Sequence, residues 1–449
     1  MSDLLGSLSV SSLLLLGGCG GGPTGDPSDH SGTNSADSGG TGDSEDTADS
    51  APDTGDTGTA VRTAPTVVVV VLDTARYQLF DEGTMPRLYA RRGDGLYVEV
   101  VAGVEGWTLP TTTALMSSVR METLGVNPDD HSLPDGSVTT VAQVLADEGW
   151  ATILDSSNGV VSTNLKAGYA VEVPHDYSWG LAEVGDEVLG LLDAVPVDQP
   201  RFAWIQVMNL HVPYDKLDAS CEAAAVAADD ACPVDVIHPP KDDGYDGGAF
   251  DGLSDVDHAA CAYAVETAQR CAATRADVEL DELLDQLPPD ALVVVTADHG
   301  EGWLDPNVEH NWGASVKLTR NFMLLLHPTL AGQTVRLASE LDLTPTILDF
   351  LGIRRSDLPF EGVVLGQPRS APPTTWHCDG HGHSEVAAWD ESYQVIRTFR
   401  GAAKPVTWQV YELATDAGGD VDLGGTVAPP QPLMDAAEAW YTQNASLCP

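Results

Sequence analysis

Thr66 to Leu72 is a valine run with no polar break after its first residue, the pattern of a strand buried on both faces. It stops at Asp73-Thr74-Ala75-Arg76. A second such run, Leu292 to Val295, stops at Asp298-His299-Gly300. Between and after them the period changes repeatedly. Ser137 to Gly149 reads as a helix with Ser137 as N-cap, Val141, Val144 and Leu145 on one face, and Gly149 as the stop. Ala151 to Leu154 then reads as a strand, Glu183 to Val195 as a helix, and Phe202 to Met208 as a strand. Tyr263 to Leu287 is a long helix leading into the second valine run. Phe322 to Leu326 is a further strand, and Thr344 to Leu351 a helix with Pro345 in its first turn. This alternation predicts an α/β fold: a mostly parallel central sheet with helices on both faces. Two strand-like runs, Gln394 to Arg400 and Thr407 to Leu413, predict a small β-rich C-terminal subdomain over 367–449.

The pattern breaks in three places. Residues 215–261 form an acidic insertion with Gly and Pro that carries Cys221 and Cys232, long enough to be a functional rim or lid within a catalytic domain spanning 65–366. Residues 20–64 repeat Thr-Gly-Asp and Asp-Thr-Gly and hold almost nothing that can form a core, which predicts a disordered acidic tether. Before it, Leu13-Leu14-Leu15-Leu16-Gly17-Gly18-Cys19 is too short to span a bilayer and suits a signal peptide over 1–19, although Ser2 and Asp3 stand where a positive start is usual. Leu-Gly-Gly-Cys resembles a bacterial lipobox, which implies lipidation of Cys19. The expected location is extracytoplasmic and lipid-anchored to a bacterial membrane, in the periplasm or at the cell surface, with plain secretion as the second choice.

Charge narrows the partners. Among 449 residues the formal net charge is −47, and only nine of the 68 acidic residues lie in 20–64, so the folded body is itself strongly acidic. Such a surface repels nucleic acid, and none is expected as a partner. An anionic substrate stays compatible where a metal ion dominates the local field. Of seven cysteines none forms a Cys-x-x-Cys pair, which argues against a structural zinc site; setting Cys19 aside leaves six, enough for three disulfides in an oxidising compartment. Cys378 and Cys448 are candidates for tying the C-terminal subdomain.

Parallel strands would bring Asp73 and Asp298 to the same edge of the sheet, where α/β proteins bind ligands. Gly106-Trp107-Thr108-Leu109-Pro110-Thr111-Thr112-Thr113 adds clustered hydroxyls just before a helix-like run, Ala114 to Ser118, and a helix start offers N–H groups to an anion. A threonine hydroxyl is a poor nucleophile until a divalent ion lowers its pKa.

These segments resemble the sulfatase group of the alkaline phosphatase superfamily. Leu72-Asp73-Thr74-Ala75-Arg76 is similar to its first metal motif, Met85-Pro86-Arg87-Leu88 to its Thr-Pro-Asn-Leu segment, and Gly106-Trp-Thr-Leu-Pro-Thr to its nucleophile turn. Asn209-Leu-His211-Val-Pro-Tyr214 resembles its His-x-Pro-Tyr motif, and Ala297-Asp-His-Gly-Glu301 its second metal motif. Glu309-His310-Asn-Trp-Gly313 and Leu341 to Asp349 follow in the family's order. The resemblance implies an alkaline-phosphatase-like three-layer sandwich. It also implies metal ligation by Asp73, Asp298, His299 and Thr108 and catalysis by Thr108, His211 and His310. Arg76, Lys317 and Arg320 are candidate anion contacts, with salt bridging the favoured use in so acidic a body.

The departures from the family pattern steer the chemistry. Sulfatases that use formylglycine need Cys or Ser at the position of Thr108 and Arg at that of Thr112, so the usual sulfatase mechanism is not expected. Threonine resembles instead the phosphoryl-handling relatives such as lipoteichoic acid synthases and phosphoethanolamine transferases. Thr74 replaces the second acid of an Asp-Asp pair and His299 replaces Asn, which favours a transition-type ion over an all-oxygen site. The expected cofactor is one divalent ion, Mn²⁺, Zn²⁺ or Ca²⁺. The expected activity is hydrolysis or transfer of phosphate, phosphonate or sulfate esters, including phosphodiesters, on a small or lipid-linked anionic substrate through a covalent threonine intermediate. The alternatives are a formylglycine-independent sulfatase and a non-catalytic lipoprotein binding module that keeps the fold.

Overall fold

The computed structural model describes residues 64–212, 214, 220–221, 223–224, 255–303, 310, 313–378, 383–400, 407–416 and 418–448. The signal peptide, Cys19, the tether and most of the 215–261 insertion lie outside the described residues. Among those described, no helix is long and apolar enough to cross a membrane.

The valine run forms β1 (Thr66–Leu72). It is followed by β2 (Gly95–Ala102), β3 (Ala151–Ser156), β4 (Val171–Pro174), β5 (Arg201–Val207), β6 (Leu292–Ala297), β7 (Arg320–Leu326), β8 (Gln333–Val335) and β9 (Ala338–Ser339). They make one sheet in the order β4-β3-β5-β1-β6-β7-β2-β8, with β9 also on β2. From β4 to β6 every pairing is parallel; β7 runs antiparallel to both β6 and β2. β1 is central, which is why it can be valine throughout.

The helices are α1 (Pro86–Ala90), α2 (Thr108–Ser117), α3 (Val141–Asp147), α4 (Gly159–Asn164), α5 (Leu181–Ala194), α6 (Asp255–Gln286), α7 (Val316–Thr319), α8 (Leu343–Phe350) and α9 (Gln431–Asn444). The period-2 alternation of β1 separates two cores. Val68, Val70 and Leu72 pack with Leu181, Val184 and Val188 of α5 and Ala268, Ala272 and Leu280 of α6. Val67, Val69 and Val71 pack on the other side with Leu109 and Met116 of α2, Val144 of α3 and Ile347 of α8. The result is the three-layer arrangement expected from the alternating pattern. A second, antiparallel sheet of β10 (Thr374–Cys378), β11 (His383–Trp389), β12 (Tyr393–Arg400) and β13 (Thr407–Glu412) packs against α9 through Leu433 and Ala437. Cys378 and Cys448 are disulfide-bonded, as are Cys221 and Cys271.

Three helix starts differ from the sequence expectation by three or more residues, and the largest shift is that of α6, which begins at Asp255, eight residues before Tyr263. α3 begins at Val141, not near Ser137, because Thr140 forms a reciprocal capping box with Gln143. α2 begins at Thr108, six residues before the helix-like run at Ala114. Its threonines turn their hydroxyls back on the helix, Thr111 Oγ1 donating to Trp107 O at 2.8 Å and Thr113 Oγ1 to Leu109 O at 2.6 Å. Those two buried hydroxyls are thereby satisfied, whereas buried Thr112 Oγ1 has no hydrogen-bond partner, and a stretch of low helix propensity becomes a buried helix.

Candidate metal centre

Register sets the centre. Leu72 of β1 pairs with Ala297 of β6, so the next residues, Asp73 and Asp298, leave the sheet side by side at its carboxyl edge. Side chains two apart share a face. Asp73 therefore follows Val71, and Asp298 follows Thr296, onto the side covered by α2. Gln206 of β5, paired with Val71, faces the same way. α2 starts over this edge and places Thr108 in its first turn.

The four expected metal-site residues converge. Thr108 Oγ1 lies 3.3 Å from His299 Nε2 and 3.5 Å from Asp73 Oδ2. His299 Nε2 is 3.7 Å from Asp73 Oδ1 and 3.6 Å from Asp298 Oδ2. One ligand atom from each of Asp73, Asp298 and His299 falls within 4.8 Å of the others. Ligands about 2.1 Å from a four-coordinate ion stand roughly 3.4 Å apart, so these spacings fit one ion. Asp73 Oδ1 is buried without a hydrogen bond, an orphan that a cation would satisfy.

His299 and Asp73 are already in the form that binds a metal, and Asp298 is not. His299 Nδ1 faces Gly300 O at 2.9 Å and must donate to it, which leaves the Nε2 lone pair toward the carboxylates. A Cβ on Gly300 would lie 2.0 Å from Lys317 O, so only glycine permits this close approach. Burial, then the nearby His310, push His299 down to about 4, against the opposing pull of Asp73; the ring is neutral at physiological pH. Burial works to raise Asp73, but its surroundings, the facing imidazoles and the donating Asn158 amide, hold it below the ordinary carboxylate value. Asp298 is pushed well up, first by burial and then by Asp73. Two buried carboxylates cannot both stay charged here without a cation.

Two residues that no motif pointed to complete the support. Gln206 Nε2 donates to Asp73 Oδ2 at 3.3 Å and to Asp298 Oδ2 at 3.0 Å, holding the two carboxylates together. Asn158 caps α4 through its Oδ1 and donates from Nδ2 to Asp73 Oδ2 at 2.6 Å. The Thr74 side chain is turned away from the ligands: its φ of 58° brings its N–H to Asp298 Oδ1, while its hydroxyl donates to Leu210 O.

The sulfatase family model matches residues 65–353. The chain belongs to the sulfatase family. Its structure is similar to the phosphonate monoester hydrolase of Agrobacterium radiobacter, with TM-score 0.63 and 15% identity, covering 86% of this chain and 96% of that one. It is similar as well to the phosphonate monoester hydrolase of Silicibacter pomeroyi, with TM-score 0.59 and 14% identity over 85% and 96% of the two chains. A third similar structure is a protein in complex with its substrate D-glucosamine-2-N,6-O-disulfate, with TM-score 0.61, 13% identity and coverage of 86% and 99%. At these identities the likeness is one of fold, and it makes the three layers an alkaline-phosphatase-like sandwich. Sulfatase-family enzymes use a metal ion, and Asp73, Asp298 and His299 are the candidate ligands in this sulfatase-family hydrolase.

The other expected site residues divide into two groups. The His310 ring centre is 4.6 Å from that of His299 and 5.0 Å from that of His211, so three imidazoles line one side of the centre. Buried Glu301, which closes the second metal motif, holds His310 Nδ1 at 3.3 Å. The cations are engaged elsewhere. The Arg76 guanidinium lies 3.7 Å from the ring centre of Trp303, Lys317 Nζ pairs with Asp420 at 3.1 Å, and Arg320 donates to Leu413 O.

Because burial and Asp73 push Asp298 toward its protonated form when the centre is metal-free, a divalent ion is expected to displace a proton there. Calorimetric titration at neutral pH in two buffers of different ionisation enthalpy should show proton release, and Asp298→Asn should abolish it. The sign for stability follows. The folded-state pKa of Asp298 is raised above its unfolded value, so its contribution is full below the unfolded carboxylate range and is lost as pH rises through the raised value. Melting temperature of the metal-free protein should fall over that rise, and saturating metal should remove the fall. Tight metal binding with no proton release would contradict this electrostatic account.

Proposed function

We propose that this protein is a metal-dependent hydrolase or transferase of phosphate or phosphonate esters that works through a covalent intermediate on Thr108. The supporting observation is the position of Thr108 Oγ1, within 3.5 Å of both His299 and Asp73 in the first turn of α2, whose start has no side-chain cap. A residue that formylglycine chemistry requires as Cys or Ser is here a threonine already among the metal ligands. The phosphonate monoester hydrolases among the similar structures favour the phosphorus reading.

A single divalent ion on Asp73, Asp298 and His299 would supply Lewis-acid chemistry, lowering the pKa of the Thr108 hydroxyl and neutralising the ester's non-bridging oxygens. Thr108 Oγ1 forms the bond to phosphorus, and its proton leaves along the contact to Asp73 Oδ2. In line with it, the phosphorus–oxygen bond to the leaving group breaks, and that oxygen takes a proton from His310. Glu301 favours the protonated imidazole needed for this step. His211, beside His310, contacts the bound ester. Water or an acceptor alcohol then attacks phosphorus while His310 takes up its proton. The Oγ1–phosphorus bond breaks and Oγ1 is reprotonated.

Steady-state kinetics with aryl phosphodiester, phosphonate and sulfate esters test this reading. Metal-replete wild type should favour a phosphorus ester, and Thr108→Ala should lose on the order of 10³-fold or more in kcat/KM with metal still bound. Sulfatase activity that survives Thr108→Ala would support a formylglycine-independent sulfatase instead. Metal-replete protein inactive on all three would mark a binding module.

We further propose that the protein is extracytoplasmic and lipid-anchored through Cys19. The lipobox-like sequence supports this reading, as do the disulfides, which persist in oxidising compartments. Cells fed labelled palmitate should incorporate label into wild type and not into Cys19→Ser. Unlabelled wild-type protein would defeat the proposal.

A further inference from the structure

A second cluster lies on the opposite face of the same sheet edge. Asp155 is the penultimate residue of β3 and pairs with Ile205, so its side chain points to the face covered by α5 and away from Gln206 and Asp73. His175 follows β4 directly, and its N–H donates to Ser156 O, which fixes it beside the end of β3. Glu187 reaches in from α5. Three separate elements thus bring two carboxylates and an imidazole to one point.

Their geometry is that of ligands without an ion. His175 Nε2 stands 2.8 Å from Asp155 Oδ1 and 3.6 Å from Glu187 Oε2, and one atom from each residue lies within 4.8 Å of the other two. Neighbouring ligands of an ion with bonds of about 2.0–2.1 Å stand roughly 3.0–3.4 Å apart, between these two values. The short contact is out of line for a hydrogen bond: both oxygens of Asp155 and Nε2 of His175 are buried with no hydrogen-bond partner. The side chains of Asp155 and His175 are 0% and 7% exposed, whereas Glu187 is 36% exposed and leaves a solvent side for a water ligand. The His175 ring is stacked on Trp179 with centres 3.9 Å apart, which fixes the direction of Nε2. Burial, then Glu187, push the Asp155 carboxyl up to about 7, the strain expected where a buried carboxylate lacks a counter-charge.

We propose that Asp155, His175 and Glu187 bind a second divalent transition ion of the Zn²⁺ class, separate from the centre at Thr108. One imidazole and two carboxylates suit Zn²⁺ better than Mg²⁺ or Ca²⁺, and a doubly charged cation balances the two acids. The ion joins the β3–β4 edge to α5. It sits three residues before Asn158, the side chain that steadies Asp73 from the other face. The role we assign it is structural, clamping the end of β3 to α5.

Metal content of the full-length protein, measured by mass spectrometry after Zn²⁺ loading and gel filtration, tests the assignment. Wild type should hold about two equivalents, and Glu187→Gln and His175→Gln about one each. Asp73→Asn/Asp298→Asn should also hold about one, and combining it with Glu187→Gln should leave none. Glu187 is at the rim, so its variant is expected to fold, with circular dichroism as the check. In the Asp73→Asn/Asp298→Asn background a chelator should still lower the melting temperature, and Glu187→Gln should remove that response. Unchanged metal content in Glu187→Gln and His175→Gln would overturn the proposal, whatever the first centre binds.

Discussion

Two aspartates leave adjacent parallel strands at paired positions, both onto the same face of the sheet and both fully buried. Buried carboxylates this close cannot both be ionised without a counter-charge. Much of the surrounding structure manages that conflict. Gln206 and Asn158 donate to the carboxylates, Thr74 adopts a left-handed backbone to offer its N–H, and His299 is held neutral with its lone pair toward them. These partners orient the acids but bring no net charge. A divalent ion would resolve what they leave, which is why the site reads first as a candidate metal centre.

Nucleophile placement depends on the same edge. A helix beginning at Thr108 sits over the strand ends, so its first side chain meets the ligand cluster while its later residues fill the core beneath. Threonine at this point separates the protein from relatives that need a convertible cysteine or serine. The imidazoles of His211 and His310 add proton-transfer capacity on one side of the centre, and Glu301 gives His310 an anionic partner. Lys317 and Arg76 do not add charge at the ligands, since each is engaged with its own partner. In the proposed mechanism anion binding would then fall to the metal and the start of α2.

What was legible in the sequence was the part governed by period and motif. Valine runs ending in Asp73 and Asp298 announced both the central strands and their acidic ends, and the clustered threonines marked Thr108 as a candidate. Gln206 was harder to see, although a lone amide inside the apolar strand Arg201–Val207 is a signal that a polar group is needed at that face. Asn158 looks like an ordinary helix cap, and that is half of its work. The start of α2 was misplaced because Thr-Leu-Pro-Thr-Thr-Thr reads as a turn by propensity, whereas burial and hydroxyl-to-carbonyl bonds make it helix. Asp155, His175 and Glu187 come from three elements with no characteristic spacing, so only the fold brings them together.

The most direct test of the central claim is to look for the covalent intermediate itself. Metal-replete protein mixed with an activated aryl phosphonate or phosphodiester can be acid-quenched at short times and its peptides weighed. The account predicts a phosphoryl or phosphonyl adduct on the peptide carrying Thr108, formed at the rate of leaving-group release, accumulating in His310→Ala and absent in Thr108→Ala. Turnover with the Thr108 peptide unmodified at every quench time, in wild type and in His310→Ala, would contradict it.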